Sequence, residues 1–356
     1  MLNQSRVDVL VLTGFQELHA LRFLYVCVTC AAYVLIVVFN VSLVLLVCKH
    51  GALHQPVYIF LANLMCNTLI GCTAFYPKLL HDLLSDVQLI TPAGCLLQAF
   101  FVHVYVSVEC IMLTVMAYDR YAAVVHPLSY HSLLCPSAVS KLLAVSWTLP
   151  VVVYAGLLSA SGTLLLCRSH VGRIYCDNQS VTRLSCVHIS LMRHFELLIV
   201  ITFVFTPLVL VFCFYVRILI ISFQLSKSSR ANKALSTCIP HLVTYVSFVT
   251  SVVFEVVQPA LATKNLPHAF TVVMSMEGFL VPPLINPLIY GLKLPLIRQH
   301  VRCLGRHPIQ ISFFIHIWNK TDADLTVSKC MCFFASLRHK AYINSTWKQN
   351  DLNCVV

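Results

Sequence analysis

The sequence predicts an all-α membrane protein: a bundle of seven transmembrane helices, N-terminus outside and C-terminus inside. Three observations predict it. First, 59% of the 356 residues are hydrophobic and only 10% are Asp, Glu, Lys or Arg, against about 25% charged in an ordinary soluble domain. A chain of this size cannot hide so much apolar surface from water. A soluble enzyme, a DNA-binding domain, a disordered chain and a disulfide-rich secreted module are all disfavoured. Second, apolar runs long enough to cross the hydrocarbon layer recur seven times. They are continuous rather than alternating, which favours helices over a barrel. Third, seven crossings put the termini on opposite faces, and about two-thirds of the 24 Lys and Arg share the side of the C-terminus, the side the positive-inside rule assigns to the cytoplasm. The net charge of +11 is then an inner-face excess and not a nucleic-acid footprint.

The elements follow in order. Residues 1–22 form a short polar extracellular head without an evident cleavable signal, since the first apolar run is too long for a signal-peptide core. The spans are expected at about 23–48, 57–80, 97–125, 138–161, 195–223, 236–260 and 268–291, so the bundle occupies 23–291. The largest outer loop is 162–194, and the inner connection 224–235 is short and basic. Residues 292–304 carry apolar and basic side chains at helical spacing and are expected to lie on the inner leaflet as a juxtamembrane helix. Residues 305–356 form an atypical cytoplasmic tail with no run long enough to span.

Charges are scarce, so each one inside a span is informative. Glu109 lies in the middle of the third run, where a carboxylate either holds an ion or stays neutral and hydrogen-bonded. Asp119 and Arg120, with Tyr121, close the inner end of the same run. They can neutralise each other when that end is shut, and Arg120 can turn to a partner when it opens. Asn286, Pro287 and Tyr290 sit near the inner end of the seventh run. Pro287 removes a helix hydrogen bond and permits a kink. Most of the 17 cysteines fall in apolar runs and read as small packing residues. Cys95, Cys167, Cys176 and Cys186 fall outside, on the oxidising face, where four cysteines suggest two disulfides. Spacing leaves three pairings open. No enzyme signature is present, and nothing points to a cofactor or a metal. A polar stripe or paired broken helices, as a channel or transporter would want, is not obvious either.

These motifs together resemble the rhodopsin-like G-protein-coupled receptors, and within them the odorant (olfactory) receptors, of the fish type. The resemblance rests on residues between Asn40 and Lys293. They include His54-Gln-Pro-Val-Tyr-Ile-Phe-Leu61, Phe75-Tyr-Pro-Lys78, Gly94-Cys95-Leu-Leu-Gln98 and Met116-Ala-Tyr-Asp-Arg-Tyr121 running on to Leu128. Lys233-Ala-Leu-Ser-Thr-Cys-Ile-Pro-His-Leu242 and Pro283-Leu-Ile-Asn-Pro-Leu-Ile-Tyr290 complete it.

The resemblance implies a small odorant bound within the bundle, a heterotrimeric G protein of the stimulatory olfactory type as partner, and a rise in cAMP. The location it implies is the plasma membrane of olfactory sensory neurons. It pairs Cys95 with Cys176 and Cys167 with Cys186. It gives Asp119, Arg120, Tyr121, Lys233, Asn286, Pro287 and Tyr290 to coupling and activation. Helical spacing then nominates His103, Val106, Ser107, Phe248, Glu255 and Gln258 for the ligand pocket. Asn3 and Asn178 open glycosylation sequons in outer segments. The chain departs from the family pattern at Thr68, where an Asp is usual, at Val125, and in its long tail. The competing reading is a rhodopsin-like receptor for another small ligand or a peptide, with a seven-helix channel or transporter further behind.

Overall fold

A computed structural model describes residues 7–14, 22–187, 190–224, 229–261 and 268–293. The head before residue 7, with Asn3, and the expected juxtamembrane and tail segments beyond 293 lie outside the described residues. Among the described residues, six helical stretches are long and apolar enough to cross a bilayer, and a seventh, shorter apolar segment runs from His241 to Val257. At 1.5 Å per residue those 17 residues span about 25 Å, close to the hydrocarbon thickness.

The spans are α1 (Arg22–Lys49), α2 (Pro56–Leu84) and α3 (Pro92–Val125), then, after a one-turn α4 (Tyr130–Leu133), α5 (Pro136–Ser161). Proline opens α2, α3 and α5, where its missing N–H is one the first turn leaves unpaired anyway. Thr91 caps α3 by accepting the Gly94 N–H at 3.1 Å. The outer loop carries a short α6 (Asn178–Thr182). The fifth span is α7 (Ser190–Val200) and α8 (Thr206–Gln224), joined without a break by a π turn at Ile201–Phe205. Pro207 cannot donate to the carbonyl four residues earlier, and the widened turn absorbs that gap. The last spans are α9 (Ser229–Leu261) and α10 (His268–Lys293).

α3 is the central post and packs against α2, α5, α8 and α9, while α1 closes the bundle against α2 and α10. Its axis is lined by fully buried Tyr105, Val108 and Met112. Gly71 of α2 is what lets α2 and α3 approach: a Cβ there would stand 2.3 Å from Cγ of Tyr105.

The boundaries differ from expectation at several ends: α2 runs on to Leu84 and α3 starts at Pro92. The fifth span starts at Ser190, and the sixth helix begins at Ser229, so most of the expected 224–235 connection is helix. Hydropathy registers only the part of a helix that sits in lipid. The outer segments are also not plain loops. β1 (Leu10–Leu12) lies between β2 (Leu89–Ile90) and β3 (His170–Val171) in one sheet, antiparallel to β2 and parallel to β3.

Candidate functional site

The end of the bundle that carries the β-sheet is covered by a built lid. Leu10 and Leu12 of β1 are 0% and 1% exposed and pack with Cys95, Val171, Cys176, Val181 and Leu184 in a small outer core. Cys95, in the first turn of α3, is disulfide-bonded to Cys176 with Cα atoms 5.2 Å apart. Cys167 is bonded to Cys186, with Cα atoms at 5.1 Å. Gln98, one turn below Cys95, accepts the Cys176 N–H at 2.9 Å.

The next residues of the loop plug into the helices. Asp177 caps α6 by accepting the Ser180 N–H at 2.7 Å. The Asn178 N–H donates to Nε2 of His103 at 3.2 Å, a role that requires that nitrogen to be unprotonated. The His103 ring stacks on Tyr154 of α5 at 5.0 Å, and Ser107 donates to the Tyr154 hydroxyl oxygen at 3.1 Å. The Asn178 side chain accepts from Ser161 at 2.7 Å and donates to Glu196 of α7.

A charged cluster ties the same loop to α9. Nη1 of Arg173 lies 2.7 Å from Oε2 of Glu255 and 3.2 Å from Oδ2 of Asp177. Burial alone would lower the Arg173 pKa, but the carboxylates of Asp177 and Glu255 keep it above its ordinary value. Asp177 is the mirror case. Burial pushes its carboxyl up, and the Arg173 charge with the Ser180 hydrogen bonds more than reverses this, leaving it below the usual range. Tyr175, between them in sequence, packs edge-on to Phe75 and Phe279.

The residues expected to line a pocket are therefore placed as follows. His103, Ser107 and Glu255 all face the underside of the lid or its supports. Phe248 is buried and meets Tyr105 edge-on at 6.2 Å. Val106 is half-buried against the core. The side chains of Gln258 and Lys233 lie outside the described residues. Asn178 requires a correction: it is only 2% exposed and its amide is committed to Ser161 and Glu196. A glycan needs that nitrogen free in water, and this buried placement speaks against the expected modification.

Deeper in the bundle, Glu109 is fully buried and accepts from Nδ2 of Asn67 at 2.8 Å. The α2 residue that meets Glu109 is Asn67, next to Thr68. Asn40 of α1 donates to the Pro283 carbonyl at 3.0 Å, a group released by the proline-rich stretch of α10. Asn286 and Tyr290 are both buried against the core.

At the end of the bundle opposite the lid, Arg120 pairs with Asp119 at 2.8 Å. Tyr130 of α4 donates to the other Asp119 oxygen at 2.7 Å. Burial raises the Tyr130 pKa, and the Asp119 charge raises it further. Tyr121 packs against Phe214 of α8 at 5.3 Å. Beside them, the Tyr215 hydroxyl and Nδ1 of His241 are hydrogen-bonded at 2.6 Å.

Sequence reasoning missed Arg173, Asp177, Tyr154, Asn67 and Tyr130. Each acts through a partner far along the chain or across a turn, and none sits in a motif.

Comparison with known proteins agrees with this architecture. The olfactory receptor family profile matches residues 29–305. Human olfactory receptor 11A1 is 32% identical over 294 residues, covering 82% of this chain and 92% of the relative. Human olfactory receptor 5K1 is 33% identical, covering 82% and 94%. Mouse olfactory receptor 6Z7 is 30% identical, covering 82% and 93%. Likeness over this much of both chains decides the matter: the protein belongs to the olfactory receptor family and is an odorant-binding, non-enzymatic receptor of the rhodopsin-like G-protein-coupled class.

Proposed function

We propose that this receptor lies with its lid outside and its C-terminus inside, in the plasma membrane of olfactory sensory neurons. On the Phe75-Tyr-Pro-Lys78 run it is assigned to the fish type. A small odorant enters under the 162–189 loop and binds among α3, α7–α8, α9 and α10, with His103, Val106, Ser107, Phe248, Glu255 and Gln258 at or near the site. Binding favours a conformation in which the inner end opens and a stimulatory heterotrimeric G protein is engaged, raising cAMP.

The Asp119–Arg120 pair carries this reading. A guanidinium is held at 2.8 Å from a fully buried carboxylate at the inner end of the central helix. A charge pair so placed is expensive in a membrane and has a use. Arg120 is masked while the end is closed, and on opening it reaches the partner together with Tyr121, Lys233 and the Asn286, Pro287 and Tyr290 segment. A ligand biases this equilibrium only by binding the open form better. The test is a cAMP reporter in cells supplied with the G protein and screened with odorant mixtures. A response lost on Arg120→Ala at equal surface level supports the reading. A response unchanged by that substitution overturns the role of Arg120, and a whole-cell current without any G protein overturns the receptor mechanism.

A further inference from the structure

Three segments far apart in sequence converge on Arg173. Its side chain is shared between Asp177, four residues on in the same loop, and Glu255 in the outer part of α9. Its backbone is pressed by the N-terminal segment: a Cβ on Gly14 would lie 2.6 Å from the Arg173 carbonyl carbon and 2.6 Å from the Ile174 nitrogen. Just before Gly14, Thr13 donates its N–H to the Val171 carbonyl at 2.8 Å and its hydroxyl to the same oxygen at 3.1 Å. Val11 donates to the Ser169 carbonyl at 2.7 Å. The disulfide to Cys95 fixes the other end of this stretch to α3. Arg173 is 15% exposed and Glu255 23%.

The geometry points to Arg173 as a positioning residue that latches the N-terminal strand and the outer loop to α9, so that the lid and the sixth span open and close as one unit. The Arg173–Glu255 pair, with the Tyr175 side chain hydrogen-bonded to the same carboxylate, crosses from lid to helix. Asp177 holds the guanidinium from the lid side, so the charge stays oriented toward α9. Gly14 is the point where the N-terminal strand bears on the latch. A passive surface ion pair contributes little and its loss stays local. A latch transmits its loss to both partners.

The test is amide hydrogen exchange on the full chain in lipid nanodiscs, which reads local opening segment by segment and needs neither odorant nor G protein. Failure of the coupling proposal is thereby separated from failure of the proposed signalling. Glu255→Gln takes the charge out of the crossing contact and leaves a weaker neutral hydrogen bond, while Arg173 keeps Asp177. Exchange is expected to rise by at least about threefold in 250–258 and also in 7–14 and 168–177. Asp177→Asn is expected to raise exchange most in the loop and by a smaller factor in 250–258, because the guanidinium loses the partner that orients it. Gly14→Val touches no charge, yet pushes on Arg173 and is expected to raise exchange in 250–258. A rise confined to α9 in Glu255→Gln, or no change at α9 in Gly14→Val, overturns the latch. Should Glu255→Gln fail to reach the surface, Gly14→Val and Arg173→Lys read the same coupling. The lysine has one ammonium in place of a fork and is expected to give an intermediate rise in all three segments. A rise in only one of them overturns the proposal.

Discussion

Tyr130 and Arg120 take opposite oxygens of one buried carboxylate. Tyr130 donates to Oδ1 of Asp119 at 2.7 Å, and Arg120 meets Oδ2 at 2.8 Å. Under the proposed mechanism, the α4 segment helps to hold the closed arrangement. A hydrogen bond to a charged group contributes about 1.5–3 kcal/mol. Tyr130→Phe is expected to raise basal cAMP several-fold at equal surface level, and Asp119→Asn to raise it further. A basal level unchanged by Tyr130→Phe would show that the hydroxyl does not restrain the closed state.

The Cys95–Cys176 and Cys167–Cys186 disulfides are expected to matter unequally. Cys95–Cys176 spans a sequence separation of 81 and Cys167–Cys186 one of 19. Chain-entropy reasoning gives about 4.5 kcal/mol for the longer loop and about 3 kcal/mol for the shorter. The longer bond also anchors the lid to α3. Cys176→Ser is expected to abolish surface delivery, and Cys186→Ser to reduce it. Surface immunolabelling of the two variants checks the order.

Asn178 and Asn3 separate cleanly by glycosidase treatment. Asn178→Gln is expected to leave the electrophoretic mobility of the glycosidase-sensitive band unchanged, because the buried amide carries no sugar. It is expected to lower thermal stability by about 1–3 kcal/mol, since Glu196 and Ser161 lose their partner. Any glycan shift is expected to disappear with Asn3→Gln. A mobility change on Asn178→Gln would contradict the buried placement.

Gly71 sets the distance between α2 and α3. Gly71→Ala places a methyl against the Tyr105 ring and is expected to destabilise the bundle by about 1–3 kcal/mol through overpacking. Adding Tyr105→Leu is expected to recover part of the loss, because the smaller side chain yields space to the methyl. Thermal unfolding of the receptor in detergent, followed by a thiol-reactive dye, measures both. Equal stability of Gly71→Ala and the parent would mean that the ring can swing clear.

The sequence made the bundle legible because lipid imposes one strong rule: a spanning helix must be apolar throughout. The Asp119–Arg120 pair and the Asn286-Pro287 stretch were legible because they break that rule. The lid was not legible. β1 has three residues and β2 and β3 two each, too short for any periodicity, and their pairing is set by chain segments about 80 to 160 positions apart. Asn178 shows the same limit from the other side. Asn178-Gln-Ser180 satisfies a local pattern, but whether its amide faces water depends on Ser161 and Glu196. Likewise Glu255 was marked as a pocket residue by its helical position, while its partner Arg173 lies 82 residues earlier.

The central place of β1 in the outer sheet has a consequence for how the receptor is made. Leu10–Leu12 is synthesised before α1, yet β3, one of its two partners, is not synthesised until α5 has been completed. Through the making of four spans the strand must wait with an unpaired edge, and a strand edge in that condition invites the wrong neighbour. Maturation of the outer face is therefore a late event, finished when His170–Val171 arrives. The interval before it is when a lumenal chaperone has most to do.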